Sequence, residues 1–524
     1  MGTSEFLAVA MVAALCLALM AGYPVALTLG GVALGFAVLG DLAGIMDLGL
    51  LGAFPQRVFG VMTNEVLLAI PLFIFMGVML ERSRIAEELL ESTGRLFGSL
   101  RGGLAISVTL VGVLLAAAKG VVGATTVTMG LITLPTMLRH GYDPRLAAGT
   151  VAATATLAQI MPPATVLVLL GDQLNTAYQA AQLAHGTFAP DTVSVGDLFA
   201  GAVFPALMLV GLYLLFQVAV AWLRPAACPP VPPDPKARRG AALLVGLGEA
   251  LVAPILLIVV VLGSILGGLA TPTEAAAVGA FGALLLTARK LDRKGSGPVA
   301  AALGALGALL VLRAAVDLCP GQAQGAAQFG LAAALGLLAV AAYGTLHAIL
   351  VAARAGVLQQ VLAATAQITS MIFTILIGAT LFSLVFRGLG GDEMVHRGLS
   401  DLPGGAGAAI LVVMLAMFLL GFVMDAFEII FVVVPIVAPP LLALHAVDPV
   451  WLGILMAMNL QTSYMHPPLG PTLFYLRGVA PPEITTWHIY AGIVPFVLIQ
   501  VFALVLLWFW PGLATWLPHA LAAG

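Results

Sequence analysis

Two polar runs set directly before proline pairs are where this sequence could do chemistry. They are Ala153-Thr-Ala-Thr-Leu-Ala-Gln-Ile-Met-Pro162-Pro163 and Met458-Asn-Leu-Gln-Thr-Ser-Tyr-Met-His466-Pro467-Pro468. Proline lacks a backbone donor and frees preceding carbonyls from the helix ladder. Those carbonyls, with the side-chain oxygens of Thr154, Thr156, Gln159, Asn459, Gln461, Thr462 and Ser463, are hard uncharged ligands that suit Na+. The half-helix N-termini beside them offer donors and positive dipole to a carboxylate. Thr and Ser also satisfy helix backbone and line packed helix contacts, which is the better reading for any single Thr but not for the clustered motifs.

Charged residues in apolar surroundings are the second class of candidate. Asp425 and Glu428 form an i,i+3 acidic pair, and intramembrane carboxylates are costly enough to mark function. They would hold a cation or tip a gate, or else cap a helix N-terminus at an aqueous mouth. Lys119 would contact a carboxylate or snorkel to water. His466 would titrate or simply hydrogen-bond.

These residues sit in a chain built for lipid. Of its 524 residues, 61% are hydrophobic and 9% charged, against roughly 45 to 50% and about 25% in soluble domains. Mean hydropathy is +1.11. A net charge of -3 with no large basic block excludes nucleic acid as a partner. Cys16, Cys228 and Cys319 are scattered with no CxxC or His partner, so they read as structural. A membrane-embedded enzyme would need a nucleophile with a base, an acid pair at a reacting centre or a metal cluster. No GxSxG, HExxH or Asp-rich motif is present.

Apolar runs long enough to cross a bilayer fall at about residues 5–22, 24–41, 65–81, 143–170, 197–222, 245–267, 271–288, 298–316, 328–352, 358–386, 448–476 and 487–513. The first lacks a basic leader and a cleavage site, so it reads as a retained span. Residues 104–138 and 405–444 are too long for one crossing and are interrupted at Lys119-Gly120 and Gly421-Phe-Val-Met-Asp425, which predicts re-entrant hairpins. Basic residues bias loops to the cytoplasm. Arg82, Arg84, Arg95, Arg101, Arg139 and Arg145 put both ends of the first hairpin on that side. Residues 172–197, without Lys or Arg, read as a periplasmic loop, and the proline-rich basic linker 224–240 as cytoplasmic. Counting onward, the second hairpin opens to the periplasm, although Arg387 and Arg397 run against the count.

Sliding the chain on itself by 305 residues superposes Pro135 on Pro440, Asp143-Pro144 on Asp448-Pro449, and Pro162-Pro163 on Pro467-Pro468. Two oppositely oriented copies of a hairpin and a broken span are the architecture of secondary transporters, because unwound backbone survives in lipid only where it is buried or lines a site. The expected fold is therefore an all-α polytopic membrane protein with an inverted repeat, and the expected activity is transport. A channel has no need of such duplicated hairpins.

The strings Gly120-Val-Val-Gly-Ala-Thr125-Thr-Val-Thr-Met-Gly, Leu134-Pro-Thr-Met-Leu-Arg-His-Gly-Tyr-Asp-Pro, Gln159-Ile-Met-Pro-Pro, Gly421-Phe-Val-Met-Asp-Ala-Phe-Glu, Asn459-Leu-Gln-Thr-Ser and Phe474-Tyr-Leu-Arg-Gly-Val-Ala-Pro resemble the large membrane subunit of TRAP transporters. The resemblance runs from about Pro24 to the C-terminus, except for residues 295–355, which look like the two extra helices of a longer branch labelled mannitol/chloroaromatic. It implies a bacterial inner-membrane permease importing a small organic anion, a carboxylate such as a 2-oxo or hydroxy acid. It also implies an elevator mechanism, Na+ coupling without other cofactors, a small membrane subunit and a periplasmic binding protein.

The same resemblance implies Na+ sites at Gly120, Gly123, Thr156 and Pro162 and at Gly421, Asp425, Thr462, Ser463 and Pro467. Substrate contacts are then expected among Lys119, Thr125, Thr154, Gln159, Glu428, Asn459, Gln461 and His466. Lys119 and His466 depart from the family pattern, which has a small or hydroxyl residue and a Thr there. The implied division is 1–81 scaffold, 82–170 first transport half, 171–294 scaffold, 295–355 inserted helices, 356–404 scaffold and arm, 405–478 second transport half and 479–524 C-terminal helix. A stand-alone symporter of the same architecture, with no binding protein, is the other transport reading.

Overall fold

The structure is a computed structural model that describes residues 2–83, 85–97, 99–231, 241–292, 295–315, 326–444, 447–468 and 470–523. Residues 232–240 of the proline-rich linker, residues 316–325 with Cys319, Arg84 and His445 lie outside the described residues, as do the side chains of Arg95 and Lys119.

The described chain is helical throughout. It opens with α1 (Thr3–Met20), α2 (Val25–Leu42), α3 (Phe54–Met62), α4 (Ala69–Arg82) and α5 (Ile85–Phe97). The first hairpin is α6 (Gly103–Lys119) and α7 (Val122–Arg139), and the broken span is α8 (Pro144–Thr156) and α9 (Thr165–Ala184). Then come α10 (Val195–Leu223), α11 (Ala241–Leu266), α12 (Pro272–Leu291), α13 (Gly297–Ala315), α14 (Ala326–Arg354), α15 (Val357–Gly388) and α16 (Gly391–Ser400). The second hairpin is α17 (Gly405–Leu420), α18 (Ala426–Val432) and α19 (Val434–Ala443). The chain ends with α20 (Pro449–Ser463), α21 (Pro471–Val479), α22 (Thr486–Phe509) and α23 (Gly512–Ala522). Among the described residues, 6 helices are long and apolar enough to cross a membrane, or up to 8 if each of two bent pairs is one span. Their outward residues, such as Leu17, Leu27, Leu215 and Phe509, are exposed and apolar, as a lipid-facing surface requires.

Three expectations change. Residues 172–184, read as loop because they lack basic residues, continue α9; their Gln, Asn and Ala content is a good helix surface once the run starts inside the protein. The segment between α2 and α4 holds a short amphipathic helix, α3, that hydropathy alone passes over. The C-terminal run is two helices, because Pro511 begins a new helix after Trp510.

The 305-residue repeat is written in the contacts. Asp143 and Asp448 each cap a helix whose first residue is proline, accepting from Arg145 N and Trp451 N. Thr154 Oγ1 lies 3.5 Å from Thr109 Oγ1, and Asn459 Nδ2 donates to Met414 O at 2.7 Å; both residues of the second pair stand 305 positions after those of the first. Packing is reciprocal: α7 lies on α21 and α19 on α9, while α8 lies on α22 and α20 on α10. Reciprocal contact is the mark of a two-fold relation. Gln461 and Thr156 confirm it, because residues 305 apart that hydrogen-bond to each other at 3.4 Å must lie beside the axis.

Outside this body α4 packs on α12 and α15, and α15 on α2. Side chains tie the first two helices together, with Thr287 Oγ1 donating to Met79 O at 3.3 Å. The inserted pair α13 and α14 packs on itself and onto α12 and α15. At the α8–α22 crossing a Cβ on Gly149 would stand 2.1 Å from Gly492 O, and one on Gly492 2.1 Å from Arg145 O. The obstruction is backbone, so it cannot rotate away. Gly492→Val should therefore lower the unfolding temperature in detergent, with a cost of about 1 to 3 kcal/mol or more; an unchanged transition would show that the crossing is loose.

Candidate functional site

The helix ladder is interrupted in both halves at corresponding places. The first hairpin turns at Gly120, which has φ +61 and leaves α6 in the left-handed region that glycine enters without a Cβ clash. Thr165 Oγ1 donates to Gly120 O at 2.7 Å, joining the tip to the start of α9. The second hairpin turns through residues 421–425. Gly421 packs so closely on α20 that an added Cβ would be 2.3 Å from Ser463 Cβ. Each proline pair, Pro162-Pro163 and Pro467-Pro468, is cis at its internal bond and lies between the two helices of its broken span.

The tips and breaks enclose a cavity of about 430 Å³, within the size range of small-molecule sites. One wall is formed by Gly120, Val121, Gly123 and Thr128 of the first hairpin, Gln159, and Asp425 and Phe427 of the second. Tyr464, at the end of α20, and Tyr475 of α21 join them. The facing wall is α4, through Val78, Glu81 and Arg82, and α15, through Ala364, Ile368 and Met371. Thr128 Oγ1 donates to Glu81 Oε1 at 2.6 Å, bridging the two walls.

Four of the sequence candidates line this space: Gly120, Gly123, Gln159 and Asp425. Gln159 is only 1% exposed, yet neither its Oε1 nor its Nε2 has a hydrogen-bond partner. Each buried unpaired polar group costs roughly 1 to 3 kcal/mol, and here the unpaired amide borders the cavity. Asp425 and Glu428 resolve into a capping box, with Asp425 Oδ1 accepting from Ala426 N at 2.8 Å and Glu428 Oε2 from Asp425 N at 3.1 Å. The acidic pair thus holds the start of α18, and only Asp425 also faces the cavity.

The other described candidates are not among the residues that line the cavity. Thr125 donates to Val121 O, Thr462 to Met458 O and Ser463 to Leu460 O, each at 2.7 to 3.0 Å. Such back-bonding satisfies the hydroxyl proton and leaves oxygen lone pairs facing the breaks. Thr154 and Asn459 tie α8 and α20 to the first arms of the hairpins. Thr156 accepts from Gln461 and Gln500 at the two-fold axis, and Gln500 also donates to Tyr213 at 2.8 Å. His466 is stacked on Phe422 with ring centroids 3.6 Å apart and meets the edge of Phe418 at 4.4 Å. That is the structural reading of a lone histidine. Among the described residues no cluster of three or more His, Cys, Asp and Glu could hold a metal ion.

Sequence reasoning missed Glu81, Arg82, Thr128, Tyr464 and Tyr475. Arg82 had served only as a topology marker at the end of an apolar run. Nothing in its spacing from the hairpins, or in that of Tyr475, announces a shared cavity.

Cavity and repeat together place the comparison with known proteins. The family model for the tripartite ATP-independent periplasmic transporter, DctM component, matches residues 11–313 and 299–513. The chain belongs to that family. It is 28% identical over 523 residues to the C4-dicarboxylate TRAP transporter large permease protein DctM of Vibrio cholerae, covering 98% of each chain. It is 23% identical over 510 residues to the ectoine TRAP transporter large permease protein TeaC of Halomonas elongata, covering 97% of this chain and 98% of that one. With the isethionate TRAP transporter permease protein DctMQ of Oleidesulfovibrio alaskensis it shares 26% identity over 472 residues, covering 89% of this chain and 59% of the other. The fold matches the crystal structure of the Alcanivorax borkumensis YdaH transporter, with a TM-score of 0.52 at 16% identity over 97% and 98% of the two chains. The protein is a multi-pass transporter permease of the bacterial inner membrane.

The capping box separates structure from charge at Asp425. Asn caps a helix as well as Asp does, whereas Ala loses the cap at a cost of about 1 kcal/mol. Asp425→Ala should lower the unfolding temperature in detergent and Asp425→Asn should not. Equal losses in both would show that the carboxylate's charge, rather than its cap, stabilises the hairpin.

Proposed function

We propose that this permease carries a small organic anion through the cavity between the hairpin tips and the α4–α15 wall, driven by Na+ and moving as an elevator. The observation that carries the reading is Gln159, buried and unpartnered on a wall made by both hairpin tips. The relatives named for C4-dicarboxylates, isethionate and ectoine support a small charged organic cargo. Their variety leaves the cargo to be read from the site itself.

In this reading Na+ is held at the two breaks by backbone and side-chain oxygens: near Gly120, Gly123, Thr156 and Pro162 in one half, and Gly421, Asp425, Thr462, Ser463 and Pro467 in the other. Thr462 and Ser463 favour it, since their hydroxyl protons are already donated within α20. The moving body comprises both hairpins and both broken spans, α6 to α9 and α17 to α21. Helix α10 packs on α20, and α22 on α8 through the close Gly149–Gly492 crossing, which favours keeping both with that body. The fixed frame is then α2, α4, α12 and α15, widened by a small membrane subunit. A relative named DctMQ, of which this chain spans 59%, supports a partner polypeptide of that kind. A periplasmic binding protein delivers the anion.

The direct test is uptake of labelled carboxylates into proteoliposomes holding this chain and its small subunit, with and without binding protein and an inward Na+ gradient. Uptake should require both. Uptake independent of the binding protein would favour a stand-alone symporter, and indifference to Na+ would remove the coupling. Thr462→Ala should raise the Na+ concentration needed for half-maximal uptake severalfold without changing unfolding temperature; unchanged Na+ dependence would move the cation site elsewhere. For the elevator, cysteines at Glu81 and Thr128, joined by a short cross-linker, should stop uptake until the link is reduced. Undiminished uptake in the cross-linked protein would fix the two walls relative to each other and end the elevator reading.

A further inference from the structure

The outward end of α9 carries a feature that the transport cavity leaves unused. Phe188, in the connection from α9 to α10, is 100% exposed, the most exposed large apolar side chain among the described residues. An exposed leucine on a membrane-spanning helix faces lipid, but this ring does not stand at that depth. The apolar run of α9 ends at Gly171, and Asp172 Oδ1 accepts from Asn64 Nδ2 at 2.8 Å, just ahead of the apolar run of α4. Two helices therefore mark the outer edge of the hydrocarbon at the same level. From Asp172 to Ala184 the helix rises about 18 Å further, against a headgroup layer of roughly 5 to 8 Å. Phe188 stands beyond both, on the side that a segment 172–197 without Lys or Arg assigns to the periplasm.

The connection is braced. Gln182 closes it at its base, with Nε2 donating to Asp191 O at 3.2 Å and Oε1 accepting from Asp191 N at 2.9 Å. Asn175 Oδ1 accepts from Val193 N at 3.2 Å, and His185 Nε2 meets Ala443 O at 3.0 Å, which seats the turn on the end of the second hairpin. Between these ties Thr187, Phe188 and Ala189 are exposed, with exposed Asp191 close by. An aromatic ring held in water keeps its transfer free energy in reserve for whatever covers it, and a tip ordered in advance spares the entropy of ordering it on contact.

We infer that Phe188 is the anchor by which a soluble periplasmic protein docks on this chain, its ring entering an apolar pocket whose rim is basic to match Asp191. The inference rests on the reading that a binding protein delivers the cargo, and it makes that protein the occupant. Position disfavours the bilayer as occupant, because aromatic lipid anchors sit at headgroup level. Charge sets the sign of the partner's rim: the segment 172–197 holds Asp172, Asp191 and Asp197 with no Lys or Arg. Such a surface repels a free anion and attracts a carrier with a basic rim. Aromatic side chains are enriched at the cores of protein contacts, where a few buried anchors dominate binding, so one ring can carry the dock while its neighbours exclude water.

The test is uptake of the labelled carboxylate by the full-length chain with its small subunit in proteoliposomes, measured against the concentration of purified binding protein in an inward Na+ gradient. Phe188→Ser should raise the half-saturating concentration of binding protein about tenfold or more, with a loss of less than about twofold in the plateau. Phe188→Trp, which keeps an aromatic anchor, should stay near the unaltered protein. Gln182→Ala unpins the tip and keeps the ring, and should raise the half-saturating concentration severalfold. Asp191→Lys should raise it too and reverse the effect of added salt, which weakens the dock in the unaltered protein and strengthens it in the variant. An unchanged half-saturating concentration in Phe188→Ser refutes the dock. A lost plateau at an unchanged half-saturating concentration refutes it as well, and marks a contact with lipid or with the protein's own fold. Uptake by the unaltered protein that needs no binding protein is a separate failure, which removes the delivery reading and the dock with it.

Discussion

An interrupted helix cannot stand alone in a bilayer, and this constraint organises the whole molecule. Hydrocarbon offers no hydrogen bonds, so every turn of backbone that leaves the helix ladder must be covered by protein or line an aqueous site. Here each hairpin tip is covered by a broken span of its own half, as Thr165 shows at Gly120 and Ser463 at Gly421. Across halves, the second arm of each hairpin lies on the helix that follows the other half's break. The two halves shield one another, and the space left between their tips and the α4–α15 wall is the cavity.

Most of the polar residues in the motifs build this arrangement rather than touch its contents. Asp143 and Asp448 start the broken spans, Thr154 and Asn459 fasten them to the hairpins, and Asp425 with Glu428 starts α18. Thr156, Gln461, Gln500 and Tyr213 form a hydrogen-bonded cluster around the axis where the halves meet. A polar residue in an apolar helix is costly unless it finds a partner, so these side chains fix which surfaces can pack. Few polar atoms are left over, and Gln159 is informative because its amide is one of them while also lining the cavity.

The two walls differ in kind. On one side are glycine tips, tyrosines and an amide, held by a body whose helices interlock backbone to backbone at Gly149 and Gly492. On the other are α4 and α15, apolar except near Glu81 and Arg82, and anchored on α12 and α2. Among the described residues the Thr128–Glu81 hydrogen bond links them across the cavity, and Asn64, just before α4, donates to Asp172 of α9. A boundary with few polar links and largely apolar contact suits sliding, since apolar surfaces exchange neighbours at little cost while buried ion pairs do not.

By itself the sequence determined the solvent, the repeat and the places where the helices break. Lipid follows from long apolar runs, the repeat from Asp-Pro and Pro-Pro recurring at one offset, and the breaks from glycine and proline, because each is a local property of backbone or transfer free energy. The roles within the motifs were not legible. Asp425 reads equally as ligand or cap until Glu428 is seen to close a capping box, whereas His466, a lone histidine that reads first as structural, gains its partner only when Phe422 is found against it. Residues 172–184 read as loop because charge content marks sidedness and not conformation. Only the tertiary structure decided that Arg82, Tyr464 and Tyr475 share one cavity with Gln159, for their meeting depends on how two halves and a framework pack over hundreds of residues, and no local pattern records that distance.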